Sequence, residues 1–257
     1  MKQSGRRTKL LFPIVDISCT IAFDMTILET ELFSPVGPQQ ENITDRAYLS
    51  IRDAIIEQRL APGTRVSEAK IAAQLEVSKT PVREAMLRLV QIGLLENTGN
   101  RGTRVPEPSL ERLRAAYQLR EGLEAQSARL SCASRTDEEI DELLRLAKSC
   151  LSEAEMGNEA GFQHLDRHFH FRLAELTHNS LVAQHLTSSY DLTSALRMRD
   201  APTYGFMVGC AKQHLMIAEA VRDRKPEDAD RLMREHIHKV ATNVISSMSN
   251  AGAEISE

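Results

Sequence analysis

The 257-residue chain contains no tryptophan, and its four tyrosines and seven phenylalanines make up only 4% of it. So few large rings, with strand signals nearly absent after residue 105, argue against a sheet-built body. Cysteine is also sparse. Cys19, Cys132, Cys150 and Cys210 lie far apart with no CxxC pair. That excludes a disulfide framework and a zinc ribbon, and it fits a reducing cytosol. No apolar run reaches the roughly 18 residues that a membrane helix needs. The nearest candidate, residues 10–33, is interrupted by Asp16, Asp24, Glu29 and Glu31. A basic start from Lys2 to Lys9 is followed by neither a clean apolar core nor a cleavage site, so a signal peptide is not indicated. Residues 1–41 read as a poorly ordered arm or as the product of an early start codon, with Met25 a candidate true start. A cytoplasmic protein with no membrane partner is expected.

An excess of positive charge is missing too, since the formal net charge is −4. The imbalance is uneven. Residues 42–105 hold ten Lys/Arg against seven Asp/Glu, and residues 106–257 hold eighteen against twenty-four. A mildly basic head on an acidic body suits a chain that meets a polyanion through one domain. At this length two domains and a sizeable core are affordable.

The most informative segment is Val77-Ser78-Lys79-Thr80-Pro81-Val82-Arg83-Glu84-Ala85-Met86-Leu87-Arg88-Leu89. A small polar turn runs into a helix with Lys79 and Arg83 near its start and apolar residues later. Ser78 and Thr80 are candidate caps, and Pro81 in the first turn costs no helical hydrogen bond. Such a helix offers its amide-rich, positive end to phosphate and buries its other end. Arg88 reads as a solvated residue or as a partner of Glu84. Upstream, Tyr48, Ile51, Ile55 and Ile56 repeat at helical spacing and stop at Pro62-Gly63; Ser67 to Leu75 forms a short second helix. Downstream, Gly93-Leu94-Leu95-Glu96-Asn97 and Thr103-Arg104-Val105 flank a glycine-bearing turn, which predicts a hairpin with Arg101 at its tip. Three helices and a hairpin make a winged helix-turn-helix over residues 42–105.

With Pro62-Gly63, the 77–85 segment, Gly93-Leu94 and Asn100-Arg101-Gly102 in order, this head resembles the DNA-binding domain of GntR-family transcriptional regulators. The resemblance implies a homodimer on a short palindromic operator, with the recognition helix in the major groove and the wing near the minor groove. Lys79 and Arg83 would contact bases or phosphates, Ser78 and Thr80 phosphates, and Arg101-Gly102 the adjacent groove. Two positions depart from the pattern. Lys79 replaces the usual arginine and cannot make its bidentate fork to guanine. Ala69 stands where some members carry a DNA-contacting arginine.

Pro106-Glu107-Pro108-Ser109 reads as a linker. Beyond it, helical periodicity dominates: a first long helix from Leu110, a second from Asp137 with Thr136 and Glu139 spaced as a capping box, then helices near 159–177, 180–199, 204–222 and 226–248. Residues 110–249 are therefore expected to form an all-α bundle of six or seven helices, giving a mainly α protein. Its chemistry lies in eight histidines. Phe162, Leu165, Phe169, Leu173 and Leu176 form one inward stripe, and Asp166 and His170 sit four apart along its edge. His164 and His168 face elsewhere. His214 is in step with Cys210, Ile217, Ala218 and Val221. His236 is in step with Leu232, Met233 and Val240, while His238 turns away by about 200°. Asp166, His170, His214 and His236 thus form one inward set. Three imidazoles and a carboxylate suit a divalent ion, zinc first, with nickel or manganese as alternatives; the plainer alternative is a group of hydrogen-bonded core histidines.

The same four positions, with Asn179, Asp228-Ala229-Asp230 and Met233, resemble the FCD effector domain of the FadR-like subgroup. That resemblance implies a metal held by one Asp and three His, and a small carboxylate effector completing its coordination. Arg120, Arg197 and Arg199 are candidates to bind the effector by charge-assisted bonds. Asn179 is either a helix cap or a cavity residue. Three functions compete: a metabolite-responsive transcription factor, by subgroup habit a repressor; a metal-dependent enzyme using the Asp/His3 site; and a constitutive architectural DNA binder with a structural ion. Against the enzyme, no further inward Glu, Lys or His stands out as a base. Against the architectural binder, an inward polar site is costly without a ligand.

Overall fold

The computed structural model describes residues 41–99, 102–197 and 204–254. The expected arm, apart from Glu41, lies outside them, and so do Arg101 and Arg199. The head begins with α1 (Glu41–Ile56), followed by strand β1 (Arg65–Val66), α2 (Glu68–Leu75), α3 (Lys79–Gln91), β2 (Glu96–Asn97) and β3 (Thr103–Arg104). The body is helical throughout its described part: α4 (Leu110–Ser134), α5 (Asp137–Glu155), α6 (Glu159–Glu175), α7 (Ser180–Leu196), α8 (Tyr204–Arg222) and α9 (Pro226–Glu254).

Local chemistry sets many of the boundaries. Ser67 is the N-cap of α2, its hydroxyl accepting from the Lys70 amide, and Glu76 ends that helix in the left-handed region at φ 55°. Ser78 holds the cap position of α3 in extended conformation without a side-chain bond. The Thr136–Glu139 capping box forms as the spacing predicts. Asn179 is resolved as a cap: its Oδ1 accepts from the Leu181 and Val182 amides at the start of α7.

The hairpin is present, and the structure adds a third strand. β3 lies between β1 and β2, with Arg65 and Glu96 both paired to Arg104. At the wing, Gly102 has φ 81°, where a side chain would be strained, and its amide bonds back to the Gly99 carbonyl. Ile51, Ile55, Val82, Met86, Leu89 and Leu95 fill the head core. Leu113, Leu143, Phe169, Leu173, Ile217, Met233 and Ile237 fill the bundle core. Leu192 of α7 packs against both. Arg112 adds a 2.9 Å bond to the Gly93 carbonyl, and Gln58 reaches the Arg197 carbonyl at 3.5 Å. The head is therefore seated on α4 and α7. Among the described residues, no helix is long and apolar enough to cross a membrane.

Candidate metal centre and nucleic-acid interface

α3 buries Pro81, Val82, Ala85, Met86 and Leu89 and leaves Ser78, Lys79, Thr80, Arg83, Glu84, Leu87 and Arg88 exposed. This division is what the 3.6-residue period demands of a helix buried along one stripe only. Ser78, Lys79 and Thr80 surround the helix start. Gly102 is exposed on the wing. Arg83, one turn on, is held by Glu68 of α2, with Nε and Nη2 donating to Oε2 at 3.0 and 2.9 Å. Arg88 is held against α1: it pairs with Asp45 at 2.6 Å and lies over the Tyr48 ring, so it is neither simply solvated nor paired with Glu84.

In the bundle, three helices bring the inward set together. α6 supplies Asp166 and His170, α8 supplies His214, and α9 supplies His236. His170, His214 and His236 are each no more than 1% exposed. Their ring nitrogens approach closely enough to share an ion, as do Asp166, Cys210 and His214, so two triads meet at His214. Asp166 Oδ1 lies 3.6 Å from His214 Nε2 and 3.9 Å from His170 Nε2. His214 Nε2 and His236 Nε2 face each other at 3.3 Å. His164, His168 and His238 are exposed, as their helical phase predicts.

The outer nitrogens explain how these rings are held. His236 Nδ1 lies 3.3 Å from Gln213 Oε1, an acceptor that fixes the hydrogen on Nδ1 and leaves a lone pair on Nε2. His214 Nδ1 lies 3.7 Å from Cys150 Sγ. His170 Nδ1 contacts Glu124 Oε2 without hydrogen-bond alignment, and its buried Nε2 has no hydrogen-bond partner. An outer nitrogen tied to an acceptor, as in His236, and an unmet inner nitrogen, as in His170, are each features of a metal-ligating histidine. Without an ion, one of the facing Nε2 atoms must carry a hydrogen to bridge the 3.3 Å gap. With an ion, both present lone pairs. The donor set fits a divalent metal.

Sequence reasoning missed Glu124 and Tyr190, and it did not count Cys210 as a donor. Glu124 overturns the expectation that no further inward Glu is present: it is 1% exposed on α4, in contact with Arg120 and His170. Its helical phase was the available signal, because Arg120 and Glu124 continue the stripe of Leu113, Ala116, Tyr117 and Ala128. Burial opposes ionisation of Glu124, but Arg120 and His170 outweigh it and hold the carboxyl below its ordinary range. The Tyr190 hydroxyl donates to Asp166 Oδ2 at 2.7 Å. Burial likewise opposes the Asp166 charge; His170, His214, Arg120 and the Tyr190 bond prevail and bring its pKa to about 2.

Burial, reinforced by repulsion from neighbouring imidazoles, pushes His214 down to about 3 and His236 well below its ordinary value. Both are neutral at neutral pH, the state a ligand needs. The sign of the linkage follows. Unfolded histidines take up protons below about pH 6.5, whereas these two resist to far lower pH. Their contribution is therefore complete above about 6.5 and is lost as pH falls toward 3. Metal-stripped protein is expected to show a falling Tm between about pH 7 and 5, before most carboxylates titrate. A Tm flat over that interval would show that the pair is not kept neutral.

Beside the centre is a cavity of about 320 Å³. Its wall includes Asp166, His170, His236, Cys210 and Tyr190, the arginines Arg120, Arg167 and Arg197, and, from the head, Ile56 at the end of α1 and Glu57 next to it. Arg120 is engaged by Glu124 and stacks on Tyr190 at 4.2 Å. Arg167 donates to Asp191 Oδ1 at 2.7 Å. Asp191 is fully buried, and its other oxygen lies 3.8 Å from Arg52 of α1. A chain of charges thus runs from the cavity wall into the head. Asn179 is not among the cavity residues.

Residues 43–105 match the family described as bacterial regulatory proteins, gntR family, and residues 115–239 match the FCD domain. The chain is 32% identical over 202 residues to the Nta operon transcriptional regulator of Aminobacter aminovorans, covering 78% of this chain and 93% of that one. It is 26% identical over 220 residues to the HTH-type transcriptional repressor RspR of Escherichia coli, covering 86% and 94%. In fold it is similar to McbR/YncC of E. coli, with a TM-score of 0.67 at 19% identity, over 80% of this chain and 98% of that one. These families and relatives are transcriptional regulators, not enzymes.

Proposed function

Because this chain belongs to the GntR family of transcriptional regulators and carries an FCD domain, we propose that it is a repressor released from DNA by a small carboxylate metabolite bound at a divalent-metal centre. The DNA-contacting residues in this reading are Ser78, Lys79, Thr80, Arg83 and Gly102, with Arg101 at the wing tip. Two copies paired through the bundle would span a palindromic operator, because a twofold protein reads a twofold site. The name of the repressor RspR supports the choice of repression over activation.

The observation that carries the effector reading is the unmet His170 Nε2, converging with the other donors beside a cavity walled by arginines. Asp166, His170, His214 and His236 would hold the ion, with zinc favoured by three imidazoles and nickel or manganese as alternatives. The ion supplies a Lewis-acidic position for one carboxylate oxygen. Arg197 and Arg167, which line the cavity, would receive the other end of the ligand. Arg120, tied to Glu124, acts more through position than by direct contact, and Asn179 serves as a helix cap. Arg199 belongs to the same proposal.

Coupling follows from differential affinity. A ligand carboxylate that recruits Arg167 weakens its hold on Asp191, and Asp191 is what the head's Arg52 approaches. The effector then shifts DNA affinity only by as much as it prefers one seating of the head over another.

The test is thermal unfolding of metal-loaded and EDTA-stripped protein against a panel of small carboxylic acids. A ligand at 100 Kd stabilises by about 2.7 kcal/mol, which is readily seen. A shift for one acid that vanishes on stripping is the expected result. Stabilisation by metal with no response to any acid would make the ion structural and overturn the carboxylate assignment.

A further inference from the structure

Cys210 lies one helical turn before His214 on α8 and is 4% exposed. Its Sγ is 3.7 Å from Asp166 Oδ1 and 3.8 Å from His214 Nε2, and those two atoms are 3.6 Å apart. Metal–ligand bonds of about 2.0–2.3 Å separate neighbouring donors by about 2.8–3.8 Å as the angle between them widens from a right angle to tetrahedral. The sulfur therefore occupies a donor position, not merely the wall behind one. Independently, the buried Nε2 of His170 lies 3.9 Å from the same Asp166 Oδ1 and has no hydrogen-bond partner. Cys150 is placed differently: its Sγ approaches His214 Nδ1, the outer nitrogen, at 3.7 Å.

We propose that the Cys210 thiolate is a ligand of the metal, so that the centre is a mixed sulfur, nitrogen and oxygen site selective for zinc over manganese. The inference rests on the metal reading above and adds a residue to it. In the ion-free protein the thiol donates to Asp166 Oδ1. When the ion enters, the S–H bond releases its proton to solvent and the sulfur lone pair binds the metal; no electron is transferred. Thiolate ligation favours zinc and disfavours manganese, which prefers oxygen and water.

The probe is cobalt(II) as a spectroscopic substitute for zinc in the full-length protein. Wild-type protein is expected to show visible d–d bands together with a near-ultraviolet sulfur-to-cobalt charge-transfer band. Cys210→Ser should lose the charge-transfer band and keep the d–d bands, while Cys150→Ser keeps both. The zinc-over-manganese preference of Cys210→Ser should fall by about tenfold or more. Bound cobalt without the charge-transfer band in wild type, or the band persisting in Cys210→Ser, overturns the thiolate assignment and leaves the Asp/His centre standing. Absence of any d–d spectrum overturns the metal reading itself, and the thiolate with it.

Discussion

His214→Ala is expected to remove metal binding almost entirely, the largest effect of any single change in the bundle. His214 is shared by both donor triads, and its Nε2 lies within 3.8 Å of donors from Asp166, His236 and Cys210. Losing it breaks up both sets, so an affinity loss of at least about 100-fold, roughly 2.7 kcal/mol, is expected. The ring is also stacked on Phe169 at 4.3 Å, and its truncation leaves a cavity costing about 1–3 kcal/mol in the metal-free protein. His236→Gln separates the two effects, because it removes an imidazole while keeping most of the volume. Metal content after dialysis and chelator competition are the measurements, with circular dichroism to confirm folding. Undiminished metal in both folded variants would mean that the imidazoles are hydrogen-bonded core residues.

In the head, Arg83→Ala is expected to abolish discrimination between operator and scrambled DNA while leaving metal content unchanged. A bidentate arginine contact to a base edge accounts for roughly 10- to 100-fold of specificity at its position, and a twofold dimer loses it twice. The structure adds a competing partner: Arg83 must leave Glu68 to reach DNA. Glu68→Gln should accordingly tighten binding modestly, through loss of both the competing bond and a negative charge near phosphate. Arg88→Ala serves as the control, since its guanidinium is engaged by Asp45 and Tyr48. The measurement is fluorescence anisotropy at one fixed salt concentration, on a duplex selected from random sequence by the wild-type protein. Full specificity in Arg83→Ala would remove α3 from the role of recognition helix.

The legible parts of this protein are those whose information is local. Ser67 and Thr136 mark helix starts because each hydroxyl accepts from an amide within its own first turn. The spacing of Asp166 and His170, and of Cys210 and His214, specifies a shared helix face whatever lies opposite. The 77–89 segment carries both its buried stripe and its exposed basic start in thirteen consecutive residues. These suffice for the winged head, the bundle, and the choice of four inward polar residues among many exposed ones.

What remained hidden depends on neighbours distant in sequence. β1 has only two residues, and nothing in Arg65-Val66 announces a strand until β3 supplies its hydrogen-bonding partner. Arg120 and Glu124 have the spacing of an ordinary exposed helix ion pair. Burial of α4 against α6 turns that pair into a clamp on His170. Asn179 was equally suited to a cap and to a cavity; the start of α7 claims its side chain. The run from Arg52 through Asp191 to Arg167 joins three helices and has no trace in spacing. Periodicity reports which way a side chain faces relative to its own helix axis. It says nothing of which atom on another helix waits there, and that distance is what makes a buried charge a clamp, a ligand or a link between domains.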